Sequence, residues 1–268
     1  MKRFVKYLIV FFLVIILLYP YCFYIEPNIV FINKKIIESE KIPVSFDKMK
    51  IVQISDLHIK RFGIREREVL FFLKVIKPDL LIISGDFYEK EKDLKFVNEF
   101  LDRLDYETYA TLGNCDYWAG DTEPLIRSLK NHQIDILMNE NRVLSRGNDS
   151  INIVGVSDPD TGHDNIDKAT FGLDTDDFTI LIAHAPDITL RLRQENFDLI
   201  ICGHTHGGQV NIPFIKPYWV PSKTDFVKGM YETKWGKLYV NRGIGTTGIH
   251  ARFLCPPEIT VFTLRSKN

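Results

Sequence analysis

Five short runs, each followed within two residues by a polar side chain, constrain the fold of this chain more than any other feature. Most of them are rich in Ile, Leu and Val, which suits strands covered on both faces. The runs are Lys50–Ser55, Leu80–Ser84, Tyr106–Leu112, Phe178–Ala183 and Asp198–Cys202. Segments with helical spacing lie between them, at Ile64–Ile76, Leu94–Leu104, Glu123–Asn131 and Ile188–Gln194. Strands that alternate with helices predict a layered α/β domain.

The second half of the chain is richer in strand patterns. A hairpin is predicted where Arg142–Ser145 and Ile151–Val156 flank a turn that contains Gly147. Later strands are predicted at Lys237–Val240 and Glu258–Leu264. The helical layers are therefore expected to give way to a β-rich region.

Side chains able to bind metal ions follow each of the five runs. They are Asp56, His58, Asp86, Asn114, His184, His204 and His206. Ligand sites of open α/β sheets lie at the carboxyl ends of strands, so these side chains are expected to converge. Carboxylate, amide and imidazole together suit a binuclear Mn, Fe or Zn site. Two such ions neutralise phosphoryl charge and provide a nucleophile near neutral pH, which predicts hydrolysis of a phosphate ester.

The segment Gly203–Gln209, with the sequence GHTHGGQ, is the most specific of these motifs. A lone Gly-Asp is an ordinary turn, and a lone histidine more often packs in a core. Two histidines two residues apart among glycines are costly in backbone order and make little sense as packing. Four of the seven histidines of the chain fall at these strand ends, which favours the metal site.

The motifs Asp-x-His, Gly-Asp, Gly-Asn, His and Gly-His-x-His, in this order from Lys50 onward, resemble the signature of the calcineurin-like metallophosphoesterase family. The resemblance implies an α/β fold of four αββα layers, in which two packed sheets lie between helices. It also implies two divalent metal ions, with Mn favoured over Fe and Zn. A hydroxide that bridges the metals would attack phosphorus in line with the leaving group.

The resemblance also implies a role for each ligand. By motif position, Asp86 would bridge the two metals. The first metal would be bound by Asp56, His58 and His206, and the second by Asn114, His184 and His204.

One position departs from the family pattern, because Cys115 stands where the family has a histidine. That histidine usually contacts the phosphate and protonates the leaving group. A thiol with a pKa of about 8.5 can still donate a proton near neutral pH, but it is a poorer donor than an imidazolium. Catalytic roles are therefore assigned to Asn114 and Cys115, with slower reaction of poor leaving groups. His163 or His250 could replace the imidazole, although each also fits an exposed loop histidine.

The N-terminal segment Tyr7–Ile25 is almost wholly apolar and is long enough to cross a bilayer as a helix. It lacks the small-residue cleavage pattern of a secretory signal, which favours a retained single-pass anchor. The predicted organisation is an anchor at 1–26, a connector at 27–48 and a phosphoesterase domain at 49–268. Basic residues ahead of the segment favour an extracytoplasmic domain, although the asymmetry of charge is small.

The formal net charge of −1 excludes the strong basic excess that nucleic-acid binding usually requires. The motifs HTHGGQ and NRGIG are similar to those of a membrane-associated bacterial subgroup. This similarity implies a phosphorylated, lipid-linked substrate such as UDP-diacylglucosamine. Arg252 and His250 are predicted to bind substrate, with a surface salt bridge as the alternative for Arg252. The loop Phe214–Phe226, which contains Tyr218 and Trp219, is expected to form an apolar lip or to pack on the core.

Two other classes of function stay open. In one, the metals hold a phosphorylated ligand without turnover, and Cys115 marks the loss of catalysis. In the other, Cys115 is a redox switch, which requires a lowered thiol pKa and access to solvent.

Overall fold

The apolar runs form the central strands of two six-stranded sheets. The computed structural model describes residues 2–174, 176–193, 196–217 and 220–268. Within these residues the α-helices are α1 (Lys2–Pro20), α2 (Ile64–Ile76), α3 (Leu94–Leu101), α4 (Asn114–Trp118), α5 (Glu123–Asn131) and α6 (Ile166–Ala169). Helix α5 begins with proline in its first turn, where the missing N–H costs nothing.

The first sheet has the strand order β1-β12-β2-β3-β4-β5. Its strands are β1 (Phe31–Ser39), β2 (Lys50–Ile54), β3 (Leu80–Ser84), β4 (Thr108–Thr111), β5 (Asp135–Ile136) and β12 (Glu258–Ser266). Strands β2 to β5 are parallel, so their carboxyl ends share one edge.

The second sheet has the order β10-β11-β9-β8-β7-β6. Its strands are β6 (Glu140–Arg146), β7 (Asp149–Gly155), β8 (Thr179–Ile182), β9 (Leu199–Cys202), β10 (Gly229–Thr233) and β11 (Gly236–Val240). Strands β7, β8 and β9 are parallel, and β6 and β7 form the predicted hairpin.

Three apolar clusters divide the molecule into layers. The core between the sheets contains residues of both, such as Ile82 and Ile180. Helices α2, α3 and α5 cover the outer face of the first sheet, where Val69, Val97 and Leu129 are buried. Short helical turns cover the outer face of the second sheet. The predicted four-layer αββα sandwich is therefore confirmed.

Helix α1 extends away from the two sheets. It continues into a wider π-helical turn at Tyr21–Ile25, directly after Pro20, whose missing N–H interrupts the regular helical bonding. The segment Arg3–Asn28 has a mean hydropathy of 2.6 in its most apolar window, none of which is buried. It is long and apolar enough to span a membrane, a criterion that signal sequences near an N-terminus also meet.

The segment 27–48 differs from the predicted connector. Strand β1 pairs in parallel with β12 along its whole length, from Phe31 opposite Glu258 to Ser39 opposite Ser266. The predicted boundary between connector and domain at residue 49 is wrong, because the chain already enters the first sheet at Phe31. The alternating exposure of β1 fits a strand at a sheet edge.

Smaller differences concern element ends. The helix predicted to reach Leu104 ends at Leu101. The helix predicted at Ile188–Gln194 is a 3₁₀ turn at Pro186–Leu190, and Gln194 lies outside the described residues. Strands β5 and β10 were not predicted.

Candidate metal centre

The facing edges of the two sheets bring the seven predicted ligands together. Asp56 and His58 follow β2, Asp86 follows β3, and Asn114 begins α4 just after β4. From the second sheet, His184 follows β8, while His204 and His206 follow β9. All seven side chains are buried, although the ends of strands usually meet solvent. Their role as metal ligands stays a prediction, which the distances among these seven side chains support.

Asp56, His58 and His206 form one half of the centre. The Nε2 atoms of His58 and His206 lie 3.2 Å apart. Nε2 of His206 also lies 3.5 Å from Oδ1 of Asp56. One ligand atom from each residue lies within 4.8 Å of the others, a spacing at which a single cation could contact all three.

Asn114, His184 and His204 form the other half. Nε2 of His184 lies 3.0 Å from Oδ1 of Asn114 and 3.2 Å from Nδ1 of His204. The other ring nitrogen of His184, Nδ1, lies 2.8 Å from the main-chain carbonyl of Ser84. If Nδ1 donates to that carbonyl, the tautomer leaves Nε2 free to bind a cation.

Asp86 lies between the two halves. Its Oδ2 atom is 3.4 Å from Nε2 of His58 and also 3.4 Å from Nε2 of His184. Its Oδ1 atom accepts a hydrogen bond from the backbone N–H of Cys115, at 2.8 Å. The carboxylate is thus fixed where it can serve both halves at once.

The backbone at the centre is strained. Five of the seven residues have positive φ angles, a conformation that non-glycine residues seldom adopt. The values are 51° at Asp56, 41° at His58, 57° at Asp86, 69° at His204 and 51° at His206. Each such residue costs of the order of 1 kcal/mol or more, and strain of this kind persists where the surrounding structure enforces it. The strain turns these side chains toward one another.

Two glycines allow the strand ends to approach closely. A Cβ on Gly203 would lie 1.9 Å from Oγ of Ser55 and 2.4 Å from Oδ2 of Asp56. A Cβ on Gly113 would lie 2.3 Å from Oδ1 of Asp86. Any larger residue at either position would displace a carboxylate of the centre.

The carboxylates and imidazoles shift one another's protonation. Burial alone would raise the pKa of Asp86, but His184, His58 and His204 outweigh it and hold that pKa below its usual range. Burial and the neighbouring His58 lower the pKa of His206. Asp86 is therefore charged and His206 is neutral near pH 7, the forms in which both bind cations.

The donor set fits two divalent cations. Nδ1 of His206 is buried and has no hydrogen-bond partner among the described residues. His58 and His206 face each other through Nε2, where a hydrogen bond needs a proton on one nitrogen, whereas a cation can accept the lone pairs of both. Cations between the facing atoms would satisfy them, and mixed oxygen and nitrogen donors suit Mn, Fe or Zn.

The comparisons with known proteins agree with this geometry. The family model described as calcineurin-like phosphoesterase matches residues 49–208. The chain belongs to the calcineurin-like phosphoesterase family. Its relatives include the metallophosphoesterase YkuE of Bacillus subtilis, which is 33% identical over 93% of this chain and 91% of its own length. The phosphodiesterase YaeI of Escherichia coli is 30% identical, over 80% of this chain and 82% of its own.

A third relative is named as a transmembrane protein. The transmembrane protein with metallophosphoesterase domain from Bos taurus is 30% identical over 84% of this chain. The match covers 55% of that protein's length. Family and relatives together show that the chain is a metal-dependent phosphoesterase.

Two acidic residues support the centre of the phosphoesterase without having been predicted. Oε1 of Glu89 lies 3.4 Å from Nδ1 of His58, and its Oε2 lies 2.8 Å from Nζ of Lys60. Burial would raise the pKa of Glu89, but His58 and Lys60 lower it to about 2. Asp116 accepts hydrogen bonds from the backbone N–H groups of Asp86, Phe87 and Gly113. The motif Gly-Asn-x-Asp contained a signal for Asp116, whereas nothing in the sequence singled out Glu89.

Cys115 lies beside the predicted ligand Asn114 at the edge of the centre and is partly exposed. Its Sγ atom is 3.6 Å from Nδ2 of Asn114. Burial and the carboxylate of Asp86 raise the pKa of this thiol. The protein groups around Cys115 thus favour a protonated thiol, which opposes the redox switch, and a thiol with a raised pKa is a weaker general acid.

Arg252 is not available to a substrate, so the prediction for it is wrong. It is fully buried, and its guanidinium donates hydrogen bonds to main-chain carbonyls. The acceptors are Arg242, Gly243, Gly245 and Cys255. The alternative, a surface salt bridge, is also wrong, because Arg252 is buried and donates to main-chain carbonyls of the loop beside Asp56.

The other predicted loop residues differ in their exposure and in their contacts. His250 is exposed, with Nε2 at 3.1 Å from Nζ of Lys60, in a pocket that also includes His58. His163 stacks on Tyr117, with 4.2 Å between ring centroids. In the loop Phe214–Phe226, Phe214 is fully exposed, while Tyr218 and Trp219 lie outside the described residues.

Proposed function

We propose that this phosphoesterase hydrolyses a phosphodiester or pyrophosphate bond with two divalent metal ions, at the surface of a membrane. The position of Asp86 carries the proposal. Its Oδ2 is equally distant, at 3.4 Å, from one imidazole of each half of the centre. A carboxylate so placed suits a bridge between two ions, and paired ions are a recurrent solution for phosphoryl chemistry.

The metals would be bound by the residues of the two halves. Asp56, His58 and His206 would hold one ion, while Asn114, His184 and His204 would hold the other. When bound, the pair would neutralise phosphoryl charge and make a nucleophile available near neutral pH, and Mn is the favoured metal. The buried ligands keep bulk water from competing for these positions.

The remaining steps belong to residues at the edge of the centre. The amide of Asn114 has its oxygen toward His184 and its nitrogen toward Cys115. Because the amide nitrogen Nδ2 carries two N–H groups, the one that does not face Cys115 could donate a hydrogen bond to a phosphoryl oxygen. The protonated thiol of Cys115 lies beside Asn114 at the edge of the centre, where it could deliver a proton to the leaving oxygen. His250, on the exposed side, would contact the substrate.

The membrane location rests on α1 and on the turns that follow it. The apolar segment Arg3–Asn28 would cross the bilayer once, and Lys2, Arg3 and Lys6 favour a catalytic domain outside the cytoplasm. A site next to a bilayer suits a lipid-linked substrate, of which UDP-diacylglucosamine is the example that the resemblance provides. This finer assignment rests on analogy with relatives.

A second function is favoured by Cys115 alone. If the thiol cannot replace the family's histidine, the metals would hold a phosphorylated ligand without turning it over. The chain would then act as a binding module.

Hydrolysis of bis-p-nitrophenyl phosphate by the full chain in nanodiscs with Mn²⁺ tests the proposal. The full chain is needed because β1, ahead of the family match, belongs to the first sheet. Turnover that is lost in Asp86→Ala and kept in Asp105→Ala, which removes an exposed carboxylate, would support the phosphodiesterase. Metal binding without turnover, in both the native chain and Cys115→His, would favour the binding module.

A further inference from the structure

A pocket joins the metal centre to the end of the apolar N-terminal segment. It has a volume of about 640 Å³ and includes His58 on one side and Phe23, Tyr24 and Pro27 on the other. The floor consists of the loop after β2 and the start of α2, with Arg61 and Phe62 among its residues. One ligand could therefore contact the metal centre and the exit of the helix together.

The charges around the pocket leave one cation without a partner. Lys60 pairs with Glu89 at 2.8 Å, and Arg65 pairs with Glu66 at 2.7 Å. Arg61 is exposed and makes no ion pair within the described part of the chain. A free guanidinium beside a phosphoryl site is suited to a second anionic group, because its planar fork matches phosphate oxygens.

The opposite wall of the pocket is apolar. Phe23 and Tyr24 belong to the turn that ends the candidate membrane span. Ile64, on the floor, has 70% of its side chain exposed. If α1 spans the membrane, this wall lies where the bilayer begins. Aromatic residues favour that depth, and an apolar chain could pass from lipid to protein there.

The apolar wall is fixed to the metal centre by hydrogen bonds. The carboxylate of Glu26 accepts from the backbone N–H groups of Leu254 and Cys255, at 3.0 and 2.6 Å. The N–H of Arg252 donates to the carbonyl of Cys22, at 2.9 Å. Arg252 in turn holds the carbonyls of the loop that packs against Asp56. The end of the helix therefore keeps a set position relative to the catalytic residues.

We infer that this pocket binds the head of an anionic membrane amphiphile. Arg61 pairs with an anionic group next to the phosphoryl group at the metals, and Phe23 with Tyr24 contacts the first part of the apolar tail. The inference rests on the proposed function, and it adds the residues that would select the substrate. A substrate with two linked phosphates and a lipid tail satisfies both ends of the pocket.

Binding of geranyl methylenediphosphonate, which has linked anionic groups, a prenyl tail and no hydrolysable bridge, tests the inference. Its Kd is measured by calorimetry on the full chain in phosphatidylcholine nanodiscs with Mn²⁺. Arg61→Ala is expected to weaken binding about tenfold, the usual effect of a lost charged hydrogen bond. Lys74→Ala is the matched control, because it removes an exposed cation from α2 outside the pocket and should bind as the native chain does.

The apolar wall has its own comparison. Methylenediphosphonate without a tail should bind at least about tenfold more weakly than the prenyl compound, as expected if a few methylene groups are buried. Phe23→Ala should reduce that difference. Equal Kd values for the two compounds would show a pocket for soluble diphosphates and would overturn the inference, as would equal Kd values for Arg61→Ala and Lys74→Ala.

These results do not depend on turnover. Absence of bis-p-nitrophenyl phosphate hydrolysis would count against the proposed phosphodiesterase alone, whereas insensitivity of the Kd to Arg61 and Phe23 would count against the pocket alone.

Discussion

The strand ends of the first sheet contribute two carboxylates, an amide and one imidazole to the centre, whereas those of the second contribute imidazoles. The first set is Asp56, Asp86, Asn114 and His58, and the second is His184, His204 and His206. Each half of the centre combines residues from both sheets. Neither sheet alone could therefore bind a metal pair, and metal affinity depends on how the two sheets pack.

Loss of Asp86, the proposed bridge between the two halves, should reduce activity more than any other change. Asp86→Ala removes the carboxylate oxygen that lies 3.4 Å from an imidazole of each half, so turnover of bis-p-nitrophenyl phosphate should fall by at least about 10³-fold. The measurement is kcat/KM with saturating Mn²⁺, beside Asp105→Ala. A loss of less than tenfold would mean that the two halves act independently.

If metals join the two sheets, they should stabilise the fold. Mn²⁺ at 100 times its Kd should add about 2.7 kcal/mol to the free energy of unfolding, because it binds the folded chain alone. For a domain of this size the Tm should rise by about 5–10 °C. Thermal denaturation with Mn²⁺ or with EDTA measures the shift, and an unchanged Tm would show that the packed sheets need no ion.

Cys115, which follows β4 of the first sheet, is the proposed proton donor. A thiol in place of an imidazole should limit the rate of hydrolysis. Cys115→His should raise kcat by about 10²-fold for an alkyl leaving group, the usual scale of general acid catalysis. The gain should be smaller for p-nitrophenol, which leaves without help. Equal gains for both leaving groups would show that the thiol does not act as the acid.

The smallest effect is expected from Glu89, which contacts only one imidazole of the centre, that of His58. Glu89→Gln removes the charge next to Nδ1 of His58 and should weaken binding of one Mn²⁺ about tenfold. Glu99→Gln, which alters a partly exposed carboxylate on α3 that pairs with Arg103, should leave the affinity unchanged. Isothermal titration separates the two ions, and a loss at both would place Glu89 in the shared part of the centre.

The sequence predicted the convergence of the ligands because each lies just after an apolar strand, and parallel strands share an edge. The limits of α2 and α5 were also predicted correctly, because the spacing of apolar residues that indicates a helix involves only neighbours in the sequence. Strand β1 was not predicted, because its sequence mixes apolar residues with two lysines as a connector does. Its partner β12 also lies more than two hundred residues away along the chain.

The errors at side chains have a related cause. Arg252 looks like a phosphate ligand in the sequence, but its surroundings are main-chain carbonyls of a loop whose path no local pattern reveals. Glu89 likewise gains its role only when the loop after β3 brings it to His58. Motifs at strand ends can be predicted from neighbours in sequence, whereas contacts between loops depend on the finished fold.

The parallel pairing of β1 with β12 has a consequence for biosynthesis. Because β12 lies between β1 and β2, the first sheet cannot close until the ribosome has released the residues up to Ser266. If the apolar segment spans a membrane, it would meet the insertion machinery while β1, which is translated after it, is still unpaired. Maturation of the catalytic domain would then follow delivery to the membrane, and a nascent chain stalled before Glu258 would remain tethered there without a completed sheet.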